Sequence, residues 1–193
     1  MNDFLQFSET PWLLPVLVTA LLFLVWLLYR LIHGRGGDFE HALSAISFDR
    51  VEGLVIPNAD EGEILVDYLL LTSQGLLVLE VKDVQGTVFG GDKLQDWTVI
   101  NDKRRYTFPN PQSALYDRIA AVRQIVREVP VTGRVLFLDG AHFAKGTPAL
   151  ISSLPQLVSE FGEPDKKAAR FKIEAFMPHW ELIRKQALST HSR

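Results

Sequence analysis

Two long apolar runs separated by four polar residues constrain this chain more than any other feature. Ile64 to Leu71 and Leu76 to Lys82 flank the quartet Thr72-Ser73-Gln74-Gly75. A glycine closing such a quartet is a hairpin signal. Pairing Leu71 with Leu76 places Asp67 opposite Glu80, and a two-residue loop of Ser73-Gln74 gives the same register. Cross-strand partners share a face, with Cβ atoms roughly 4.5–5.5 Å apart. Lys82, two residues beyond Glu80, projects to that face as well.

Two carboxylates opposed among leucines repel, and burying either one charged is costly. A divalent cation between them resolves the conflict, because hard oxygen ligands suit Mg²⁺. A neighbouring ammonium then orients water or offsets charge that develops on a phosphorus centre. The plainer alternative is a solvated strand end, with Asp67 paired to Lys82. The hairpin by itself leaves both open.

The rest of the chain sets the context. Its 193 residues fit one globular domain plus an appendage. Residues 10–29 carry no charged side chain and lie between Glu9 and Arg30. That length suits a hydrocarbon core of roughly 30 Å. Trp12 at one end, with Trp26 and Tyr29 at the other, fit interfacial anchors. The flank before the run is acidic (Asp3, Glu9) and lacks the basic start and small-residue cleavage site of a signal peptide. The expectation is a membrane helix over residues 11–33, with the lipid bilayer as a partner. Arg30 and Arg35 follow the charge-free run, so the positive-inside rule puts residues 1–10 outside and the soluble domain in the cytoplasm, in a single-pass inner-membrane topology.

Downstream, Gly34-Arg35-Gly36-Gly37 reads as a hinge, and Asp38 as the cap of a helix running to about Ser47. Strands are expected near Val51–Ile56, in the hairpin, at Gly86–Phe89 and at Trp97–Ile100. Pro111 suits the first turn of a helix to about Glu128. A strand at Arg134–Leu138 follows, then helices from about Ser153 to Phe161 and from Asp165 to Met177, with Pro178 as a break. This order implies an α/β fold, a central mixed sheet flanked by helices. The parts are a core over 38–140 and a helical extension over 141–193.

With a net charge of −3 the chain is no strongly basic nucleic-acid binder. Basic residues nevertheless cluster at Lys103-Arg104-Arg105, along Arg118, Arg123 and Arg127, and after Asp165, where they can meet phosphates or anionic lipid. The five histidines have no zinc-site spacing. Trp97 and Trp180 read as core, and Asp139-Gly140 as a tight turn.

Taken in order, these landmarks resemble the nuclease-related domain family, whose restriction-endonuclease-like fold belongs to the PD-(D/E)XK superfamily. The matching features are Glu40 on an early helix, Asp67 in an apolar strand, Ser73-Gln74-Gly75 leading to Glu80-Val81-Lys82, Gly86 to Gly90, Trp97-Thr98, and Asn110-Pro111 opening a helix. The resemblance covers about half the chain, from about Gly37 to Arg127. It implies Asp67 and Glu80 as metal ligands, with the Val81 carbonyl a third, Lys82 as the catalytic lysine, and Glu40 completing the site. The implied cofactor is Mg²⁺ or Mn²⁺, and the implied partner is nucleic acid, DNA being expected.

There are departures. The family's helix glutamine, three residues after the proline, is Ala114 here. The nearest alternative, Gln112, lies two residues earlier, about 200° away around a helix. The family's histidine after the strand aspartate is Tyr68, and its glycine before the helix glutamate is Phe39. Two functions follow: a membrane-anchored metal-dependent nuclease that uses Asp67, Glu80, Lys82, Glu40 and Gln112, or a catalytically weak or inactive tethered module that binds nucleic acid or acts as a scaffold.

Overall fold

Gly75 is where the hairpin turns, and only glycine fits there. Its φ is +121°, and a Cβ would stand 2.3 Å from the Pro130 carbonyl oxygen. In the computed structural model, which describes residues 13–57, 62–102, 104–163 and 165–191, the first three strands are β1 (Asp49–Pro57), β2 (Glu63–Thr72) and β3 (Gly75–Lys82). The β2–β3 pair has the expected register, with Leu71 against Leu76 and Thr72 against Gly75.

The chain divides into two units, Met1–His41 and Ala42–Arg193. In the first, helix α1 (Leu13–Ile46) begins. The large apolar side chains described there, from Val16 to Trp26, are all exposed. Among the described residues no helix is long and apolar enough to cross a membrane. Of the expected span, residues 11 and 12 and the side chains of 13–14 and 27–33 lie outside the described residues, as do residues 1–10. The helix runs through the glycines at 34–37 where a hinge was expected, and Asp38 sits inside it rather than capping it. Helical glycine costs only about 1 kcal/mol each, so it weakens a helix without ending it.

The second unit holds two sheets. After β3 come β4 (Gly86–Phe89), β5 (Asp96–Asn101), β6 (Arg104–Pro109), helix α2 (Pro111–Ile125), β7 (Val131–Phe137), β8 (Ala141–Phe143), β9 (Ile151–Ser152), α3 (Leu154–Phe161) and α4 (Lys166–His191). The central sheet has the order β1-β2-β3-β7-β9. Its first three strands are antiparallel, while β7 and β9 add in parallel. It is the expected mixed sheet flanked by helices. A smaller sheet, β6-β5-β4-β8, stands beside it.

Strand β3 is apolar on both sides because both faces are covered. A Cβ at Gly133, the partner of Val78, would strike Ile119 and Leu115 of α2. On the opposite face Arg134, partner of Leu79, pairs with Glu160 and lies over the Phe161 ring of α3. The sheets meet through aromatic rings, with Trp97 stacked on Phe137 and edge-on to Phe143.

Pattern reading misses β6, β8 and β9. Strand β6 is an almost wholly exposed edge, so its Arg-Arg start reads as a surface cluster. Pro178 does not break α4. Removing one helical hydrogen bond is outweighed by the anchoring that follows it: Trp180 and Ile183 are fully buried, and the Trp180 indole donates to Asp49 Oδ2 at 2.8 Å.

Candidate active site

The β2–β3 ladder ends at Tyr68–Leu79, one residue short of Asp67 and Glu80. Beyond that point a side chain replaces the main chain: Val81 N–H donates to Asp67 Oδ2 at 3.3 Å. On the other edge of β2 the ladder skips the residue facing Asp67 as well. That residue is Gly53, at φ +62°. Asp67 therefore sits at a gap in both ladders, half-buried, with its carboxylate turned onto the β3 backbone beside Glu80. Alternation of apolar residues does not reveal Gly53; a glycine inside a strand pattern is the available signal.

Glu80 is 3% exposed yet charged on both sides. Lys82 Nζ lies 2.7 Å from Oε1, and Arg118 NH1 lies 3.1 Å from Oε2. Arg118 also donates from Nε to the Leu65 carbonyl at 2.6 Å. Its position follows from α2. Asn110 accepts the Gln112 N–H at 3.0 Å and sets the phase of the helix, and Leu115, Ile119 and Val122 then face the sheet. Arg118 flanks that stripe on the face shared with Val78, Glu80 and Lys82.

Of the residues expected at a site, Asp67, Glu80, Val81 and Lys82 come together. Lys82 pairs with Glu80 rather than with Asp67. Gln112 is occupied elsewhere: its amide bonds Asn110 Oδ1, and its Oε1 accepts the Leu150 N–H at 3.3 Å. Ala114 is exposed. Glu40 is an exposed residue of α1 in the first unit. Arg118 is the participant that sequence reading places in a surface cluster instead, because nothing local distinguishes it from Arg123 or Arg127.

The donors suit a hard cation in kind, since Mg²⁺ is commonly held by one or two carboxylates with water completing its shell. Asp67 Oδ1 has no hydrogen-bond partner among the described residues. Both Glu80 oxygens, in contrast, are held by cationic side chains, so a metal would have to displace one of them. Among the described residues no group of three or more His, Cys, Asp or Glu side chains converges to hold a metal. Any bound ion would thus rest on Asp67, Glu80, main-chain oxygen and water.

Comparison with known proteins bears on the family of the chain. Residues 39–138 match the model of the nuclease-related domain. A stretch of 63 residues, a third of this chain, is 25% identical to an uncharacterised protein of Bacillus anthracis and spans 30% of that protein's length. No solved structure matches the chain.

Proposed function

The chain belongs to the nuclease-related domain family, and from that premise we propose that it is a metal-dependent phosphodiesterase acting on nucleic acid, DNA in the first instance. The observation that carries this reading is the buried Glu80 carboxylate, tied to Lys82 and Arg118 and flanked by Asp67. A carboxylate so deeply buried between two cations costs stability to maintain, and such costs recur at functional sites.

Asp67 and Glu80 would hold Mg²⁺ or Mn²⁺, with the Val81 carbonyl as a further oxygen. Bound metal supplies Lewis acidity toward a phosphoryl oxygen and lowers the pKa of a coordinated water. Lys82 is the more exposed partner of Glu80, at 36% against 20% for Arg118. It is the group free to swing toward a phosphate, holding a non-bridging oxygen or orienting water. Arg118, fixed by the Leu65 carbonyl, stays behind on the other Glu80 oxygen.

The same proposal includes a membrane anchor at residues 11–33, with the N-terminus outside and the domain in the cytoplasm. Its support is the charge-free run, the exposed apolar side chains from Val16 to Trp26, and the basic residues after it. A reporter fused to either terminus tests the orientation. Cytoplasmic signal from the N-terminal fusion would reject it.

A second reading is favoured by one observation: Gln112 is occupied by Asn110 and Leu150, and Ala114 offers no replacement. A tethered module that binds nucleic acid or serves as a scaffold without efficient turnover would look the same. Calorimetry with Mg²⁺ on the full chain in detergent, wild type beside Asp67→Ala, separates the two when cleavage is assayed on the same samples. Binding and cleavage that both vanish in the variant support the nuclease. Binding without cleavage in wild type supports the inactive module. No binding in wild type rejects the metal site.

A further inference from the structure

A cavity of about 300 Å³ opens where the strands of the two sheets end, lined by Phe137, Ala141, His142, Phe143, Thr147, Ile151, Ser152, Ser153 and Gln156. It plays no part in the cluster described above, yet it adjoins it. Phe137 is the register partner of Lys82 on the parallel neighbour of β3, so the two side chains share a face. Crevices beyond the carboxyl ends of parallel strands are common ligand sites in α/β folds.

The lining identifies the class of ligand. Phe137, Phe143 and Ile151 give an apolar, partly aromatic wall. Around it stand His142, Thr147, Ser152, Ser153 and Gln156, which offer both donors and acceptors. No side chain of fixed charge lines the space, so it lacks the chemistry to hold a phosphate or a metal ion. Ser152 is 4% exposed, and no hydrogen bond is made by its hydroxyl among the described residues. The hydroxyl oxygen itself is not sealed from solvent, since no buried side-chain oxygen or nitrogen lacks a partner among the described residues, so it is open to water or to a polar group that enters the cavity. Gln156 accepts from Ser153 N and Oγ through Oε1, which leaves its amide group to donate. The volume lies at the small end of ligand pockets and suits a single ring system.

We propose that this cavity is a nucleobase pocket, which takes one unpaired base of the substrate strand while the adjoining phosphate meets Lys82. This rests on the nuclease reading and deepens it. A base can enter only when it is out of a stacked duplex, so the chain would act at ends, single strands or flipped nucleotides. Flat aromatic contact with a polar edge is the recognition such pockets use.

The test measures binding without turnover, on the full chain in detergent with chelator present. The probes are single-stranded oligonucleotides carrying one abasic site at each position in turn, and the four free nucleosides. The expected result is an affinity loss of about tenfold or more for one abasic position, a difference that Thr147→Val and Gln156→Ala erase. Thr147→Val keeps the shape of an exposed loop residue, so it guards against the chance that Gln156→Ala unravels α3. Equal affinity for every abasic oligonucleotide would overturn the pocket and leave the nuclease reading standing. Nucleosides that bind wild type but not Thr147→Val, with no oligonucleotide binding even when Ca²⁺ replaces the chelator, would keep the pocket and reject the nuclease. Binding by neither probe would overturn the pocket.

Discussion

Replacing Arg118 with alanine is the sharpest test of how this site is held. The substitution removes one of two cations from a carboxylate that is 3% exposed, and with it the Nε bond to the Leu65 carbonyl. A charged hydrogen bond contributes about 1.5–3 kcal/mol, and a neutral acceptor left without its donor adds about 1 kcal/mol. Breaking a fully buried pair costs about 3–5 kcal/mol. Lys82 remains on Glu80 but is more than a third exposed and is screened by water, so the lower end applies, about 3 kcal/mol. For a chain of this size that corresponds to a fall in Tm of roughly 6–12 °C. Circular dichroism of the full chain in detergent reads it. Glu80→Gln combined with Arg118→Ala should recover much of the loss, because the buried carboxylate charge is gone and the remaining Lys82 charge is exposed to water. Mg²⁺ added to Arg118→Ala alone should recover part of it as well, by occupying the vacated side of Glu80. A fall under 2 °C, or strict additivity in the double variant, would show that Glu80 does not depend on Arg118.

Gly53→Ala should lower stability by roughly 1–2 kcal/mol through backbone strain alone, since a Cβ there meets no atom within 4 Å. Gly53→Asn should cost less, because asparagine tolerates positive φ, and equal melts for the two variants would refute the strain. Asn110→Ala removes the cap of α2 and the amide bond to the Leu94 carbonyl, at 2.9 Å. A loss of about 1–2 kcal/mol in urea unfolding is expected, and an unchanged midpoint would reject the cap. Trp180→Phe removes the bond to Asp49 and part of a fully buried ring, and should cost about 2–3 kcal/mol by the same assay. Asp67→Ala should abolish Mg²⁺ binding while leaving the β2–β3 turn intact, as judged by an unchanged far-ultraviolet spectrum.

The hairpin carrying Asp67, Glu80 and Lys82 was legible from sequence because its register depends on a local turn and on alternation, both short-range. Asn110-Pro111 likewise announced the start of α2, since capping chemistry is read within four residues. What sequence could not supply was the arrangement of partners brought from afar. Arg118 is 38 residues from Glu80, and on α2 it looks like any other solvent-facing arginine. Only docking of α2 over Gly133 turns it inward. Gln112 was available by composition but is drawn to the Leu150 amide by a loop that sequence does not position. Pro178 misled for the same reason: the helix continues because Trp180 and Ile183 find a core that their neighbours in sequence do not form. The edge strand β6 has too little burial to leave an alternating signature. Sequence alone thus determined the local elements and which titratable groups sit on one strand face, through turn chemistry and the two-residue period. Tertiary packing decided which charge neutralises Glu80 and where the aromatic-walled cavity opens, because both depend on contacts between segments that local propensity does not encode.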